Sequence, residues 1–219
     1  VNTAITILRS RSHNEEVVER LQFYLEYQQD GEYQKVNAYG ATPFWVEADT
    51  LSFQAINLPL TVTFKDEATF NLKASVPESF RIQNYDTKDT AETNIEPQDF
   101  SRDYKVGDKI TLPFFNGVVT RSDQPLQAGK PFYIEFRNFD NVVNSYKSIS
   151  VSPENNNSSV LKLALTGDNK AQIVDYLNGS VAVLSENMLK RKNLFATKTI
   201  RFIDSSLAVK SEELRLVED

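Results

Sequence analysis

The distribution of glycine and proline divides this sequence into three blocks and constrains its fold more than any other feature. Residues 1–30 and 180–219 contain neither amino acid, whereas all 7 glycines and 8 prolines lie in residues 31–179. Both residues disfavour helix interiors, so the two ends that lack them are typical of helices. The middle block combines these breakers with alternating apolar residues, which is typical of strands. We therefore expect helical ends and a β-rich middle.

The first block is predicted to form two helical pieces. Ile5 and Leu8 share one face of the first piece. The second is expected to begin at Ser12, because a Ser followed three residues later by Glu15 is a capping-box pattern. The apolar residues that follow keep helical spacing: Val17, Val18, Leu21 and Leu25.

The middle block contains seven segments that alternate like strands. They are 34–39, 44–48, 60–64, 69–74, 118–121, 132–136 and 160–165. Residues 65–68 are predicted to form a hairpin loop, and Asn116-Gly117 and Ala128-Gly129 are predicted to form turns. Residues 84–108 are polar and poorly patterned, so they are predicted to form a long surface loop.

The last block is predicted to be a long amphipathic helix. Asp168 is a plausible N-cap, and apolar residues then recur at spacings of three and four from Ile173 to Met188. A second apolar run, from Ile200 to Val217, is out of phase with the first. We therefore expect a helix over 168–192, followed by a bend, a break or a change of packing partner near 195–202.

These elements predict an α+β fold in which terminal helices pack on a mostly antiparallel sheet. The expected organisation is a base domain, residues 1–33 plus 139–219, that includes the long helix. Residues 34–138 form a β-rich insertion into this base, with the predicted loop 84–108 inside it. The absence of a start methionine at Val1 indicates a piece of a larger protein.

Composition excludes several classes of function. The chain has no cysteine, which rules out disulfides and thiolate chemistry. Its net charge of −6 and pI of about 5.0 are the opposite of a generic nucleic-acid binder, so no nucleic-acid partner is expected. No segment approaches the ~20 consecutive apolar residues that span a bilayer.

Catalytic and cofactor signatures are sparse. The single histidine, His13, is predicted to be a surface residue in a helix first turn beside Glu15 and Glu16; a metal or base cluster is the alternative. Neither a P-loop nor a dinucleotide fingerprint occurs, so we expect no catalytic residue, metal or cofactor within these residues. Three carboxylate pairs leave a hydrolase open: Asp66/Glu67, Asp103/Asp108 and Glu212/Glu213.

The aromatic residues Tyr39, Phe44 and Trp45 lie close together in the sequence. Such rings stack on saccharides in sugar-binding modules, but they also supply much of the buried area of a β core. We favour core packing for them.

Three ordered segments resemble one protein family. The first, residues 2–12 leading into residues 15–18, resembles the segment that follows the first membrane helix in polysaccharide co-polymerases, the Wzz-type chain-length determinants. Residues 148–153 with 158–163, and residues 171–178 with 185–187 and 199–204, are similar to the strand and long-helix portion of that family. The likeness is greatest to the larger type, which is often fused to a cytoplasmic tyrosine autokinase.

The resemblance implies a periplasmic domain of an inner-membrane protein, tied to the membrane by helices outside this sequence. It implies an oligomeric, ring-like scaffold that regulates the chain length of a capsular or exopolysaccharide. The implied partners are the polysaccharide polymerase and an outer-membrane export channel. The parent would be a tyrosine-protein kinase, with its ATP-dependent kinase domain outside this chain.

Arg9 and Arg11 belong to the first of these segments. They are candidate membrane-proximal or subunit contacts, and the alternative is that they are polar-face residues at a helix end. The chain alone is expected to be a monomer or a weak oligomer, since tethering in a membrane supplies effective concentration that a free fragment lacks. A secreted carbohydrate-binding or adhesin-like module is the alternative function.

Overall fold

The computed structural model describes residues 2–155 and 158–218, with 211–218 described by their backbone alone. It confirms the predicted α+β class. Within the described residues there are four α-helices and several antiparallel sheets, and a long helix closes the chain.

The N-terminal helices are α1, Asn2–Leu8, and α2, Arg11–Leu21. The N-cap of α2 is Ser10, whose side chain accepts a hydrogen bond from the His13 backbone N–H, so the predicted Ser12 cap is wrong. The helix ends at Gln22, which adopts the left-handed conformation with φ 50°. That reversal turns the chain into a strand, and Leu25 therefore begins β1 rather than continuing the helix.

Fourteen strands follow in the described part of the chain. They are β1 Leu25–Asp30, β2 Lys35–Asn37, β3 Phe44–Ala48, β4 Phe53–Ala55, β5 Leu60–Phe64, β6 Thr69–Val76, β7 Ser79–Asn84, β8 Thr90–Asn94, β9 Gln98–Lys105, β10 Lys109–Thr111, β11 Asn116–Arg121, β12 Pro131–Phe136, β13 Ser150–Pro153 and β14 Leu161–Ala164.

The largest sheet has the order β2-β1-β12-β5-β6-β9, and its neighbours are all antiparallel. Two three-stranded sheets, β10-β11-β3 and β4-β7-β8, and the ribbon β13-β14 complete the β structure. Alternate residues of β5 are buried, Leu60, Val62 and Phe64, as period-two alternation predicts for a half-buried strand. The large sheet joins β1 of the predicted base to β12 of the predicted insertion, and one continuous apolar core includes residues of both segments.

Two predictions in the middle block are wrong. Residues 84–108 are not a long loop, because β8 and β9 lie there. Strand β9 is an edge strand with polar side chains on both faces, and only Phe100 and Tyr104 are partly buried, so it lacks the alternation that identifies a strand. Asn116-Gly117 is not a turn but lies in β11, where Gly117 pairs with Ala48.

Other turn predictions are confirmed. Residues 65–68 connect β5 and β6, and the Lys65 N–H donates to the Thr69 carbonyl. Gly129 has a positive φ of 81° in the turn before β12, a conformation that glycine adopts without steric cost.

Helix α3, Phe139–Ser145, and a 3₁₀ turn at Tyr146–Ser148 precede β13. The last helix, α4, runs from Lys170 to Glu218 without interruption, so the expected break near 195–202 is absent. Its cap is Asn169 rather than Asp168, since the Asn169 side chain accepts the Gln172 N–H at 3.0 Å. The apolar pattern changes phase where the helix leaves the domain and its residues become exposed, in line with the expected change of packing partner.

Helix α4 packs against α2 and α1 through its N-terminal part. Beyond that contact, every described residue from Arg191 to Lys210 except Ser206 is exposed. No helix in the described residues is long and apolar enough to cross a membrane.

Candidate functional site

The interface between α2 and α4 is close and polar. A Cβ added to Gly179 would lie 3.1 Å from Cδ1 of Leu21, so the glycine permits the two helices to approach. Next to it, Ser180 Oγ lies 2.7 Å from His13 Nε2, and the Tyr176 hydroxyl donates to Asn14 Oδ1. These four polar side chains are buried in the helix crossing.

His13 is therefore not the surface residue predicted from the sequence, since it is only 2% exposed. Burial lowers the pKa of its imidazole, and the nearby charge of Glu16 acts in the opposite direction. Its Nδ1 and the Asn14 side-chain nitrogen have no hydrogen-bond partner among the described residues. Buried polar atoms without partners are uncommon in folded proteins, so this crossing is a candidate site.

A cleft of about 760 Å³ opens beside His13, between α1, α2 and α4. Every residue in its lining except Ile7 has a polar or charged side chain. Helix α1 and the following turn supply Asn2, Thr3, Thr6, Ile7 and Ser10, helix α2 supplies Ser12, His13 and Glu16, and helix α4 supplies Asn187, Lys190 and Arg191.

The acidic side chain of the cleft has a hydrogen-bond partner, whereas the basic side chains have none among the described residues. Glu16 accepts a hydrogen bond from Asn187 Nδ2 at 2.7 Å. Lys190 and Arg191 form no hydrogen bond or ion pair within the described part of the chain, although the charge of Lys190 is among the causes that lower the pKa of Glu186. Two cations and one carboxylate leave the cleft with a net positive charge.

Arg9 and Arg11 lie near this cleft in sequence but point to other partners. Arg9 Nη2 donates to the Val151 carbonyl at 2.7 Å and so connects the end of α1 to β13. Arg11 forms ion pairs with Glu15 in α2 and Asp140 in α3. The hydrogen bonds that Arg11 donates to Glu15 and Asp140 raise the pKa of its guanidinium. Both side chains thus make contacts within the domain, and their proposed membrane or subunit contacts stay a prediction.

The candidate carboxylate pairs lie in structural positions. Asp66 accepts the Ala68 and Thr69 N–H groups at 2.8 Å in the β5–β6 hairpin. Asp103 accepts hydrogen bonds from Lys65 and Asn71, which lower its pKa. The side chains of Glu212 and Glu213 lie outside the described residues. The described residues contain no group of three or more acidic or histidine side chains that could hold a metal ion.

The aromatic residues predicted to pack in the core do so. Phe44 is fully buried, and half-buried Trp45 makes edge contacts with Tyr27 and Tyr39 at centroid distances of 5.5 and 5.4 Å. The Tyr39 hydroxyl donates to Asp175 at 2.8 Å and so ties the sheet to α4.

The exposed part of α4 carries two apolar stripes. The first repeats at every seventh residue and is 43–74% exposed: Val181, Met188, Phe195, Phe202 and Val209. The second is 49–62% exposed: Leu189, Ile200, Ile203 and Leu207. At ~3.6 residues per turn, the two stripes are centred roughly 115° apart around the helix axis. We call them the seven-residue stripe and the second stripe.

Sequence reasoning missed the cleft because its residues come from three separated segments. A signal for part of it was present, since the run from Asn187 to Ile203 contains five Lys or Arg residues and no Asp or Glu. The burial of His13 had no local signal, because it depends on the crossing with α4.

No protein-family model matches this chain, and no curated protein matches it. Two solved structures of Xanthomonas campestris FlgL resemble it at a TM-score of 0.25. One (space group C2) is 13% identical over 88% of this chain and 52% of its own, and the other (space group H3) is 14% identical over 76% and 45%. The chain thus spans about half the length of these structures, and likeness at this level carries no argument about fold or function.

Proposed function

We propose that this chain is the periplasmic domain of an inner-membrane chain-length regulator in capsular or exopolysaccharide biosynthesis, and that it acts as an oligomeric scaffold. The observation that carries the scaffold role is the exposed part of α4, with its two apolar stripes. The resemblance of the three sequence segments to polysaccharide co-polymerases supports the biological setting. The polymerase and export channel are its proposed partners, and a tyrosine autokinase domain in the parent is part of the same proposal.

The two stripes favour self-association through α4. Contiguous exposed apolar surface on a soluble domain marks an interaction surface. A strict seven-residue apolar repeat is matched by a neighbouring helix that supercoils around it with a left-handed twist. We therefore expect the seven-residue stripe to pack against another long helix. A second copy of α4 provides such a helix.

The angle between the stripes favours a ring over a pair. A two-fold contact joins the same surface on both copies and covers one stripe, whereas a head-to-tail contact of one stripe on the other covers both stripes and forms a ring when its rotation closes.

Cysteine pairing tests the contact directly, because the natural chain has no cysteine. Phe202→Cys samples the seven-residue stripe and Ile203→Cys samples the second stripe. The two variants, distinguished by mass tags, are mixed on vesicles with nickel-chelating lipids that hold a C-terminal His tag, which restores the effective concentration of a membrane. After mild oxidation, we expect mixed disulfides several-fold in excess of the sum of the two same-variant products.

Thr197→Cys, exposed on α4 outside both stripes, is the matched control and should give little product. A predominance of Phe202→Cys dimers would indicate a two-fold pair and contradict the ring. Mixed product no greater than the Thr197→Cys background would contradict the scaffold proposal.

A further inference from the structure

The cleft between α1, α2 and α4 has the chemistry of a ligand site that is separate from the two stripes. We propose that it binds an anion that carries hydroxyl groups, namely a phosphate or carboxylate next to hydroxyls, as in an acidic sugar or a glycerol-phosphate headgroup. This inference does not depend on the scaffold role of α4.

Positive charge at the rim is the first argument. Lys190 and Arg191 line the cleft without an ion-pair partner among the described residues. They begin the basic run from Asn187 to Ile203 in a protein whose net charge is −6. The net positive charge of the cleft attracts ligands of negative charge. Anions are therefore the ligands that this cleft favours.

The second argument comes from Glu16, which restricts the expected ligands to anions that also carry hydroxyl groups. Its Oε2 is held by Asn187 at 2.7 Å, and an ionised carboxylate has further lone pairs that can accept hydrogen bonds. The carboxylate repels a bare anion but accepts hydrogen bonds from hydroxyl groups. A ligand with an anionic group at Lys190 and Arg191 and a hydroxyl at Glu16 satisfies both sides of the cleft.

Size and composition agree with such a ligand. The cleft volume of about 760 Å³ lies within the ~300–1,000 Å³ range of small-molecule sites. No Phe, Tyr or Trp is among the described residues that line it, so recognition would rest mainly on charge and hydrogen bonds. His13 forms part of the wall, and its buried Nδ1 lacks a partner within the described residues.

His13 also provides the readout, since it is the only histidine of the chain. Its imidazole gives one set of nitrogen and carbon-bound proton resonances in a two-dimensional NMR spectrum. We expect glucuronate and inorganic phosphate to shift these resonances saturably, and acetate, which has no hydroxyl, to bind more weakly. Vesicles of phosphatidylglycerol, compared with phosphatidylcholine, test the headgroup as the source of the same chemistry.

Matched variants assign the binding to the cleft. Lys190→Gln/Arg191→Gln is expected to weaken binding at least ~10-fold, because charge-assisted hydrogen bonds contribute strongly to anion recognition. Lys198→Gln/Arg201→Gln makes the same charge change on the same helix outside the cleft and should leave binding within about two-fold. Glu16→Gln should reduce the preference for glucuronate over acetate.

The proposal is supported if the soluble anions bind, or if phosphatidylglycerol vesicles alone bind, and if that binding depends on Lys190 and Arg191. Which of the two binds identifies the source of the anionic group. The absence of any shift with glucuronate, inorganic phosphate and phosphatidylglycerol vesicles overturns it. Equal losses in the two double variants also overturn it, because binding would then follow the overall charge of α4.

Discussion

Burial of His13 between α2 and α4 couples the stability of the domain to pH. The ordinary pKa of the imidazole is 6.5, and burial lowers it in the folded chain. Below pH 6.5 the unfolded chain therefore binds a proton that the folded chain does not. Because the unfolded state then holds more protons, the free energy of unfolding decreases as the pH falls below 6.5 toward the lowered pKa.

We predict that the free energy of unfolding of the natural chain, relative to His13→Gln, decreases when the pH is lowered from 8 to 5. Urea titrations of both proteins at each pH measure it. The comparison cancels groups common to both chains, such as Glu26, whose pKa is raised by burial. Parallel pH profiles would show that His13 is not desolvated in the folded protein.

At the scale of the element, backbone approach decides which strands can pair. Gly117 of β11 lies beside β3, where an added Cβ would be 2.7 Å from the Glu47 carbonyl oxygen. Real Cβ atoms do not approach a backbone oxygen so closely, so a side chain here must separate the two strands. In the sequence the same Asn-Gly pair is typical of a turn, and only the neighbouring strand distinguishes the two roles.

We predict that Gly117→Ala destabilises the domain by about 2 kcal/mol or more, as expected for overpacking against backbone. The matched control is Gly167→Ala. Its added Cβ would make only ordinary contacts with Ile173, at 3.5 Å and beyond, and its backbone has no positive φ. That variant should change stability by less than ~1 kcal/mol. Chemical unfolding of both variants provides the measurement, and similar effects of the two substitutions would refute the close approach.

At the same scale, α4 has a packed part and an exposed part. Its first turns pack on α2, and the bidentate bond of Arg20 to Glu186, at 2.9 and 2.6 Å, is one of the contacts there. From Arg191 to Lys210 the helix is almost entirely exposed, and its own backbone hydrogen bonds are the main interactions that stabilise it. Isolated helices in water are marginal, so the exposed part depends on partners for its stability.

At the scale of the whole molecule, stability should therefore be unequal along α4. We predict that backbone amides 195–210 of the free chain exchange with deuterium about 100-fold faster than amides 173–186, which lie in the packed part. On vesicles, at the density used for cysteine pairing, amides 195–210 should become protected while 173–186 change little. Exchange that is equally slow in both segments of the free chain would contradict this division.

The sequence by itself determined what depends on local pattern. The absence of glycine and proline at both ends predicted helices, and period-two alternation located β3 and β5 with their correct bounds. These predictions succeed because backbone propensity and side-chain alternation act between near neighbours. The α+β class follows from the same signals.

Only the tertiary structure decided what depends on distant segments. It paired polar β9 with β6 and buried His13 against Ser180. It also assembled the cleft from α1, α2 and α4. Each of these features rests on contacts between residues far apart in the chain. The free energy of such contacts cannot be deduced from the spacing of residues along the sequence.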